Sequence, residues 1–357
     1  MLQASFQKLD PREQHYWIAS PRAGMQLFLR HLPSRQQRSA DVPPVLYVHG
    51  ATFPSGLSIA HRFDGHSWRD ALCNAGFDVW GFDFLGYGYS DRYPEMNEPA
   101  EANPPLCRVQ DGTGQLTDVA RFILRHQGAR RLSIISHSWG AMPTCRFAGE
   151  HPALVDRIVL FAPIARRVPR RYDKPPSAPA WRIVTLADQL ARFVEDVPAR
   201  EPPVLAQEHF AQWGERYLDS DPDSRTRNPA AVKIPTGPFN DILHAWHGQL
   251  GYDPAVVQRR SQSSAANRTV SSPIKMHAGC SMRLLPHRTS ATSRSTAPRI
   301  SCIWRRCVMR STARASPSSR QTIMRLYRRS ATLRFVGNNK RSNGHGRSTR
   351  AAEDSGL

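Results

Sequence analysis

A serine flanked by small residues is the feature of this sequence best suited to chemistry. Residues 136–140 read Ser-His-Ser-Trp-Gly, a version of the G-x-S-x-G pattern with serine in place of the first glycine. A β-prone run at residues 132–135 precedes it, and Ala141–Glu150 can follow it as a helix. A sharp strand-to-helix turn would strain the backbone at Ser138 and point its hydroxyl outward, toward a carbonyl. The same spacing also occurs by chance in loops, so the flanking strand and helix are what favour a nucleophile.

Two backbone N–H groups could stabilise the oxyanion that such an attack creates. The N–H of Trp139 lies at the start of the helix, where backbone donors are free. A second N–H, that of Ala51, can come from the loop His49-Gly50-Ala51-Thr52, which follows the β-prone run Val45–Val48. We interpret His49 as a structural residue that hydrogen-bonds to this loop, in preference to a catalytic base.

No metal or nucleotide cofactor is predicted. The glycine-rich turn at residues 83–90 superficially resembles a phosphate-binding loop, but it lacks the Gly-Lys-Ser/Thr ending, and a tight turn after a strand is the better interpretation. No C-x-x-C pair occurs among the six cysteines, so we expect free thiols in a reducing, cytoplasmic compartment rather than a zinc site or disulfides. The opening residues lack the apolar core of a signal peptide, and no apolar run reaches the roughly 18–20 residues of a membrane span.

The elements that must position Ser138 follow from hydrophobic periodicity. Residues 15–20 and 25–31 predict an antiparallel hairpin joined by Pro-Arg-Ala-Gly. Strands and helices then alternate. The predicted strands are Val45–Val48 and residues 77–82, 132–135 and 157–161; the predicted helices are residues 67–75, 115–125 and Ala141–Glu150. This alternation favours an α/β fold with a parallel sheet covered on both faces.

The alternation stops at residues 165–251. Helical stretches near residues 184–197 and 203–217, with no strong strand, predict an all-helical insertion. Such an insertion would cover the carboxyl ends of the strands, where ligands bind in open α/β sheets. From composition we expect its aromatic residues to line an apolar substrate site: Trp181, Trp213, Phe239, Trp246 and Tyr252.

The order of three segments resembles the α/β-hydrolase superfamily. They read VLYVHGAT, GFDFLGYGYSDR and SIISHSWGA, and the resemblance covers about residues 27–164. It implies a mostly parallel sheet with a helical cap at residues 165–251, a nucleophile at Ser138 and oxyanion donors at Ala51 and Trp139. It also implies a small ester-like substrate, with amide or carbon–carbon bond cleavage as family alternatives. Serine at the elbow disfavours the Asp-nucleophile chemistry of dehalogenases and epoxide hydrolases.

The resemblance ends before the catalytic acid and base. In the family, two further parallel strands follow, the first with an Asp or Glu after it and the second with a His. Here no acidic residue occurs from Pro254 to Ala352. None of five histidines in the cap and tail is assigned as the base: His244, His247, His277, His287 and His345.

Charge divides the chain at the same point. Residues 1–257 hold 28 basic and 27 acidic residues, whereas residues 258–357 hold 21 and 2. We therefore divide the chain into a core at residues 1–164, a cap at 165–251 and a basic Arg/Ser-rich tail at 252–357. The tail composition is typical of a GC-rich gene translated out of frame.

A frame change near residues 257–260 would explain the missing triad members. With suitable codons, the shifted frame of residues 259–270 can spell APVAIIRGESDG, an aliphatic strand followed by an acid. Residues 300–310 can likewise give HLMHLEAMRHA, which opens with a histidine. The sequence past about Ser319 would then run beyond the original end.

The alternative is that the basic tail is a genuine arm. Such an arm would bind nucleic acid or an anionic surface non-specifically through charge. The basic residues are scattered, aromatic residues are few and no nucleic-acid-binding motif is visible. The sequence therefore favours a serine hydrolase, impaired as written, over a non-enzymatic binder.

Overall fold

The computed structural model describes residues 8–36, 42–167, 178–195, 197 and 205–254, together with a two-residue strand at 283–284. Seven strands form the central sheet in the order β1-β2-β4-β3-β5-β6-β9. They are β1 Gln14–Ala19, β2 Gln26–Leu32, β3 Val45–Val48, β4 Val79–Phe82, β5 Leu132–His137, β6 Val155–Phe161 and β9 Arg283–Leu284. The strands β4, β3, β5 and β6 are parallel neighbours, and the β1–β2 hairpin is antiparallel, as predicted.

Helices cover both faces of the sheet, which confirms the α/β prediction. They are α1 Trp68–Asn74, α2 Val109–Gln127 and α3 Ala141–Glu150. Short 3-10 helices lie at Ser55–Leu57, Pro94–Asn97, Ala100–Ala102, Ser138–Gly140, Pro152–Leu154 and Ser224–Thr226. Alternate residues of β3 belong to different cores: Val45 and Tyr47 pack with α1, whereas Leu46 and Val48 pack with α2.

The second helix begins six residues earlier than the periodicity of residues 115–125 predicts. Two glycines in its first turns, Gly112 and Gly114, have low helix propensity, so the sequence does not indicate a helix there. A Cβ atom at Gly112 would lie 3.0 Å from the indole of Trp139. The helix therefore tolerates this glycine because a fully buried aromatic ring occupies the space beside it.

The insertion contains strands as well as helices, so the prediction of an all-helical segment is wrong. Its elements are β7 Trp181–Thr185, α4 Leu186–Val194, α5 Gln207–Leu218, β8 Ala231–Pro235 and α6 Gly237–Trp246. The strands β7 and β8 form a separate antiparallel ribbon. Pairing between segments this far apart in sequence leaves no local periodicity by which it could be recognised.

Among the described residues, the sheet continues beyond β6 with β9, which pairs in the antiparallel direction. Within the described residues, no parallel strand follows β6 as the resemblance implied. The basic tail, the proposed frame change, and the residues His277, His287 and His345 lie outside the described residues. Among the helices that are described, none combines the length and apolarity needed to cross a membrane.

A buried charge cluster joins the hairpin to α1. The carboxylate of Glu13 accepts hydrogen bonds from Arg30 Nη1 at 2.7 Å, from His15 Nε2 at 2.6 Å and from Arg69. Glu13, Arg30 and Arg69 are all buried. Burial raises the pKa of Glu13, but the His15 hydrogen bond and the two guanidinium charges outweigh it and lower the pKa to about 2.

Glu13→Gln should lower the free energy of unfolding by about 3–5 kcal/mol, because it leaves two buried guanidinium groups without a carboxylate. The contribution of Glu13 is complete above its ordinary pKa of 4.5 and is lost as pH falls from there to about 2. Urea unfolding between pH 2 and pH 7 measures both effects. Glu150→Gln, which breaks the exposed Arg146–Glu150 pair, is the control and should change stability by less than about 0.5 kcal/mol. Equal losses in the two variants would contradict the assignment.

Candidate active site

Ser138 lies at a strained turn between strand and helix. It directly follows β5, its backbone φ is +53°, and α3 begins three residues later. Non-glycine residues rarely adopt this left-handed conformation, which costs about 1–3 kcal/mol and persists only where surrounding contacts impose it. The geometry is that of the strand–turn–helix elbow expected from the sequence pattern.

Close packing imposes this turn. A Cβ atom at Gly140 would lie only 2.3 Å from the carbonyl oxygen of His49, and one at Gly50 would lie 3.1 Å from the Cβ of Ser138. The elbow and the loop after β3 are therefore in direct contact. Glycine is required at position 140 because backbone atoms, which cannot move aside, fill the space.

His49 fixes the direction of the Ala51 N–H. Phe84 N–H donates to His49 Nε2 at 3.0 Å, which places the imidazole proton on Nδ1, and Nδ1 lies 2.8 Å from Gly50 O. A trans peptide points its N–H opposite to its carbonyl, so this bond turns the Ala51 N–H away from His49. Both ring nitrogens are used and burial lowers the pKa of His49, which agrees with a structural role and not with a catalytic base.

The positions of the expected oxyanion donors leave their backbone N–H groups available. Among the described residues, Ala51 N donates to no backbone acceptor outside helices and strands. Trp139 lies in the first turn of the 3-10 helix Ser138–Gly140, where backbone N–H groups have no acceptor within the helix. The carbonyl group of Ala51 is also fixed, because the hydroxyl of buried Tyr87 donates to Ala51 O at 2.8 Å. The same hydroxyl lies 3.3 Å from Pro235 O. Two fixed N–H groups beside a hydroxyl can stabilise a developing oxyanion.

The glycine-rich turn at residues 83–90 makes hydrogen bonds to Ser55, which follows the loop that carries Ala51. The carboxylate of Asp83 accepts from Ser55 N at 2.9 Å and Ser55 Oγ at 2.6 Å, and from Tyr89 N at 3.2 Å. A Cβ atom at Gly88 would lie 2.1 Å from this carboxylate. The turn therefore folds around an internal acid, which is consistent with a tight structural turn and leaves no place for a phosphate.

Sequence reasoning missed Asp241, which holds Trp139, the residue after Ser138. This buried carboxylate on α6 accepts from Trp139 Nε1 at 3.1 Å, Val109 N at 2.7 Å and Arg108 Nε at 2.5 Å. Burial raises its pKa despite these donors. The only hint in the sequence was a lone acid in an apolar helix, which does not indicate what it contacts.

Among the described residues, no hydrogen bond joins the Ser138 hydroxyl to a histidine or a carboxylate. The neighbouring His137 lies with its ring 5.2 Å from that of Phe161, and its Nδ1 is buried without a hydrogen-bond partner. Burial, and then the charge of Arg192, lower the pKa of His137 to about 4, so it is neutral near pH 7. His244 and His247 make local contacts at the end of α6, with Gln249 and with Leu243 O.

The aromatic residues of the insertion do not form one site. Trp213 lies 5.4 Å from Phe53, on the loop that carries Ala51, and donates to Leu57 O. The others contact different parts of the structure, which corrects the expectation from composition: Trp181 donates to Glu98 O, Tyr252 packs with α3 and β6, and Phe239 and Trp246 lie under Arg182 and Arg167.

Gly140→Ala should lower the free energy of unfolding by about 3 kcal/mol or more, because the new methyl group collides with the His49 carbonyl. The matched control is Gly114→Ala in α2, where the nearest atom is Pro21 Cγ at 3.4 Å. That change should leave stability unaltered or raise it by up to about 1 kcal/mol. Thermal unfolding compares the two; a harmless Gly140→Ala would show that the contact does not exist.

Asp241→Asn should lower the free energy of unfolding by about 1–3 kcal/mol, because an amide cannot accept from three donors and pair with Arg108. Trp139→Phe removes the indole N–H and also reduces the volume of a fully buried ring, so it should lower stability in its own right. Urea unfolding of both variants and of their combination gives the coupling energy. Strictly additive losses would indicate that Asp241 and Trp139 do not interact.

Solved structures that are similar to this chain include three hydrolases. A thioesterase domain from the curacin biosynthetic pathway is 16% identical, with 70% of this chain and 78% of that chain covered and a TM-score of 0.41. A structure from a study of Nitrososphaera gargenis carboxylesterases is 15% identical, with 70% and 76% covered and a TM-score of 0.40. An epoxide hydrolase from Vigna radiata is 13% identical, with 66% of this chain and 72% of that chain covered and a TM-score of 0.38.

Sequence comparison gives both a relative and a family. Epoxide hydrolase B of Mycobacterium tuberculosis (strain ATCC 25618 / H37Rv) is 30% identical over 122 residues, which cover 32% of this chain and 28% of that protein. The chain thus matches less than a third of the length of this curated relative. Residues 43–209 match the family described as alpha/beta hydrolase fold, a range that contains Ser138 and both expected oxyanion donors. Together with the strand order of the described residues, this match shows an α/β-hydrolase fold.

Proposed function

We propose that this chain is a serine-dependent hydrolase that cleaves carboxylic esters of small molecules through an acyl-enzyme, with activity impaired in the chain as written. The observation that carries the proposal is the left-handed backbone of Ser138 at the end of β5, beside the free N–H of Ala51. A strained serine at this point exposes its hydroxyl, and the adjacent N–H groups favour a substrate that develops an oxyanion.

In this mechanism, the Ser138 oxygen attacks the ester carbonyl carbon and the carbonyl oxygen moves to the N–H groups of Ala51 and Trp139. Collapse of the tetrahedral intermediate expels the alcohol, and water then hydrolyses the acyl-enzyme. Both steps require a base to take a proton from the attacking oxygen. None of the described residues supplies one, so we expect only the part of catalysis that oxyanion stabilisation and binding provide, about 10³–10⁴-fold over water in a serine protease without its triad.

Serine at position 138 favours acyl transfer over the chemistry of the relative named an epoxide hydrolase, for which the family resemblance implies an Asp nucleophile.

A reducing, cytoplasmic location stays a prediction from cysteine usage. Binding of nucleic acid by residues 258–357 has only composition in its favour. The frame change is tested most directly by the nucleotide sequence of codons 250–320, which should encode an acid and then a histidine one base over.

A fluorophosphonate probe should label the purified 357-residue chain slowly and at Ser138, as located by mass spectrometry of the peptides. Ser138→Ala should abolish the adduct because it removes the attacking oxygen. The matched control is Ser136→Ala, which removes a buried hydroxyl that has no hydrogen-bond partner and should leave labelling unchanged.

The same preparation should hydrolyse 4-nitrophenyl butyrate without a burst of nitrophenol. A robust burst would refute the impairment but support the serine mechanism. Labelling that persists in Ser138→Ala would refute the mechanism itself. Steeply salt-dependent binding of DNA that disappears on deletion of residues 258–357, without any labelling, would favour the alternative of a basic binder.

A further inference from the structure

Two arginines of the insertion have no carboxylate partner among the described residues. Arg182 lies on β7 and Arg192 on α4, and neither forms an ion pair within 4.0 Å. By contrast, the buried Arg69 pairs with Glu13, and Arg227 pairs with the buried carboxylate of Asp221. The nearby carboxylate of Asp188 is engaged in capping α4 through Thr185. A guanidinium presents five N–H donors. Among the described residues, the one side-chain acceptor that binds either guanidinium is Gln189 Oε1, at 2.7 Å from Arg192 Nη2.

Arg192 lies next to the candidate active site. Its guanidinium carbon is 5.8 Å from the ring centroid of Phe53, which is two residues from Ala51. The ring of Phe53 is in turn 6.3 Å from that of His137, the residue before Ser138. The charge of Arg192 also acts on His137, whose pKa it lowers together with burial. A positive charge is therefore directed at both the loop and the elbow.

Arg182 approaches the same place from the β7–β8 ribbon. It pairs across the ribbon with Ile234, one residue before Pro235, whose carbonyl lies 3.3 Å from the Tyr87 hydroxyl. Its charge acts on Tyr87, the residue that holds Ala51 O. The Nε of Arg182 is buried and has no hydrogen-bond acceptor.

Gln189 contacts Arg192 and is itself incompletely satisfied. Its side chain is fully buried, and its Oε1 accepts from Arg192 Nη2 at 2.7 Å. Its Nε2 is buried without an acceptor. Burying a donor without an acceptor destabilises a fold by about 1–3 kcal/mol, so the two buried donors Arg182 Nε and Gln189 Nε2 are complementary to an anionic acceptor. Carboxylates accept from guanidinium groups in pairs, which makes them the best match.

We propose that Arg182, Arg192 and Gln189 form a subsite for a carboxylate carried by the substrate, so that the preferred esters are half-esters of dicarboxylic acids. The proposal rests on the proposed function, because it places this carboxylate on a molecule whose ester reaches Ser138. The insertion, which carries the subsite, would then set the substrate preference, and the core, which carries Ser138, would perform the hydrolysis.

The test is equilibrium binding of two esters that differ only in the terminal group, monoethyl adipate and ethyl hexanoate. Isothermal titration calorimetry on the full chain should give a dissociation constant about tenfold lower for monoethyl adipate. Arg192→Gln and Arg182→Gln should each remove most of this preference and leave ethyl hexanoate binding unchanged. Mass spectrometry after each titration verifies that the ester is intact.

Arg225→Gln is the matched control, since it removes the same charge from an exposed arginine that pairs with Glu215 and Asp219. It should preserve the preference, which separates a local subsite from the net charge of +20. Equal affinity for the two esters, or an equal loss in Arg225→Gln, would overturn the subsite. Failure of Ser138 labelling would instead overturn the proposed function, because binding is measured independently of that reaction.

Discussion

The close approach of Gly140 to the His49 carbonyl is the contact on which the candidate site depends. It brings the loop after β3 against the turn after β5, and these strands are parallel neighbours whose carboxyl ends meet at one edge of the sheet. Ser138, which connects the end of β5 to the helix that follows, adopts a left-handed backbone at this point. The tight contact and the backbone strain therefore occur together at the end of β5.

Elements defined by local sequence could be predicted well. The bounds of β3 and α3 agree with the sequence analysis, and the elbow lies where the spacing of small residues puts it. The roles of Ala51 and Trp139 as oxyanion donors stay predictions that the geometry supports. Local signals suffice here because the turn, the strand end and the helix start all lie within about ten residues.

Features that depend on distant contacts could not be predicted. The strand β7 is recognisable only through β8, which lies 46 residues farther along the chain at its first pair of partners, Thr185 and Ala231. The start of α2 is hidden by Gly112, whose purpose is clear only beside Trp139. Asp241 gives no sign in the sequence that it would accept from an indole more than a hundred residues earlier. In each case the physical reason lies in a partner that periodicity does not reveal.

The Tyr87 hydroxyl links the insertion to the core. It lies 2.8 Å from the main-chain carbonyl of Ala51, in the core, and 3.3 Å from that of Pro235, at the end of β8 in the insertion. Because one buried phenol contacts both segments, a displacement of β8 would be transmitted to the loop after β3. The position of the insertion and the geometry of that loop are therefore coupled.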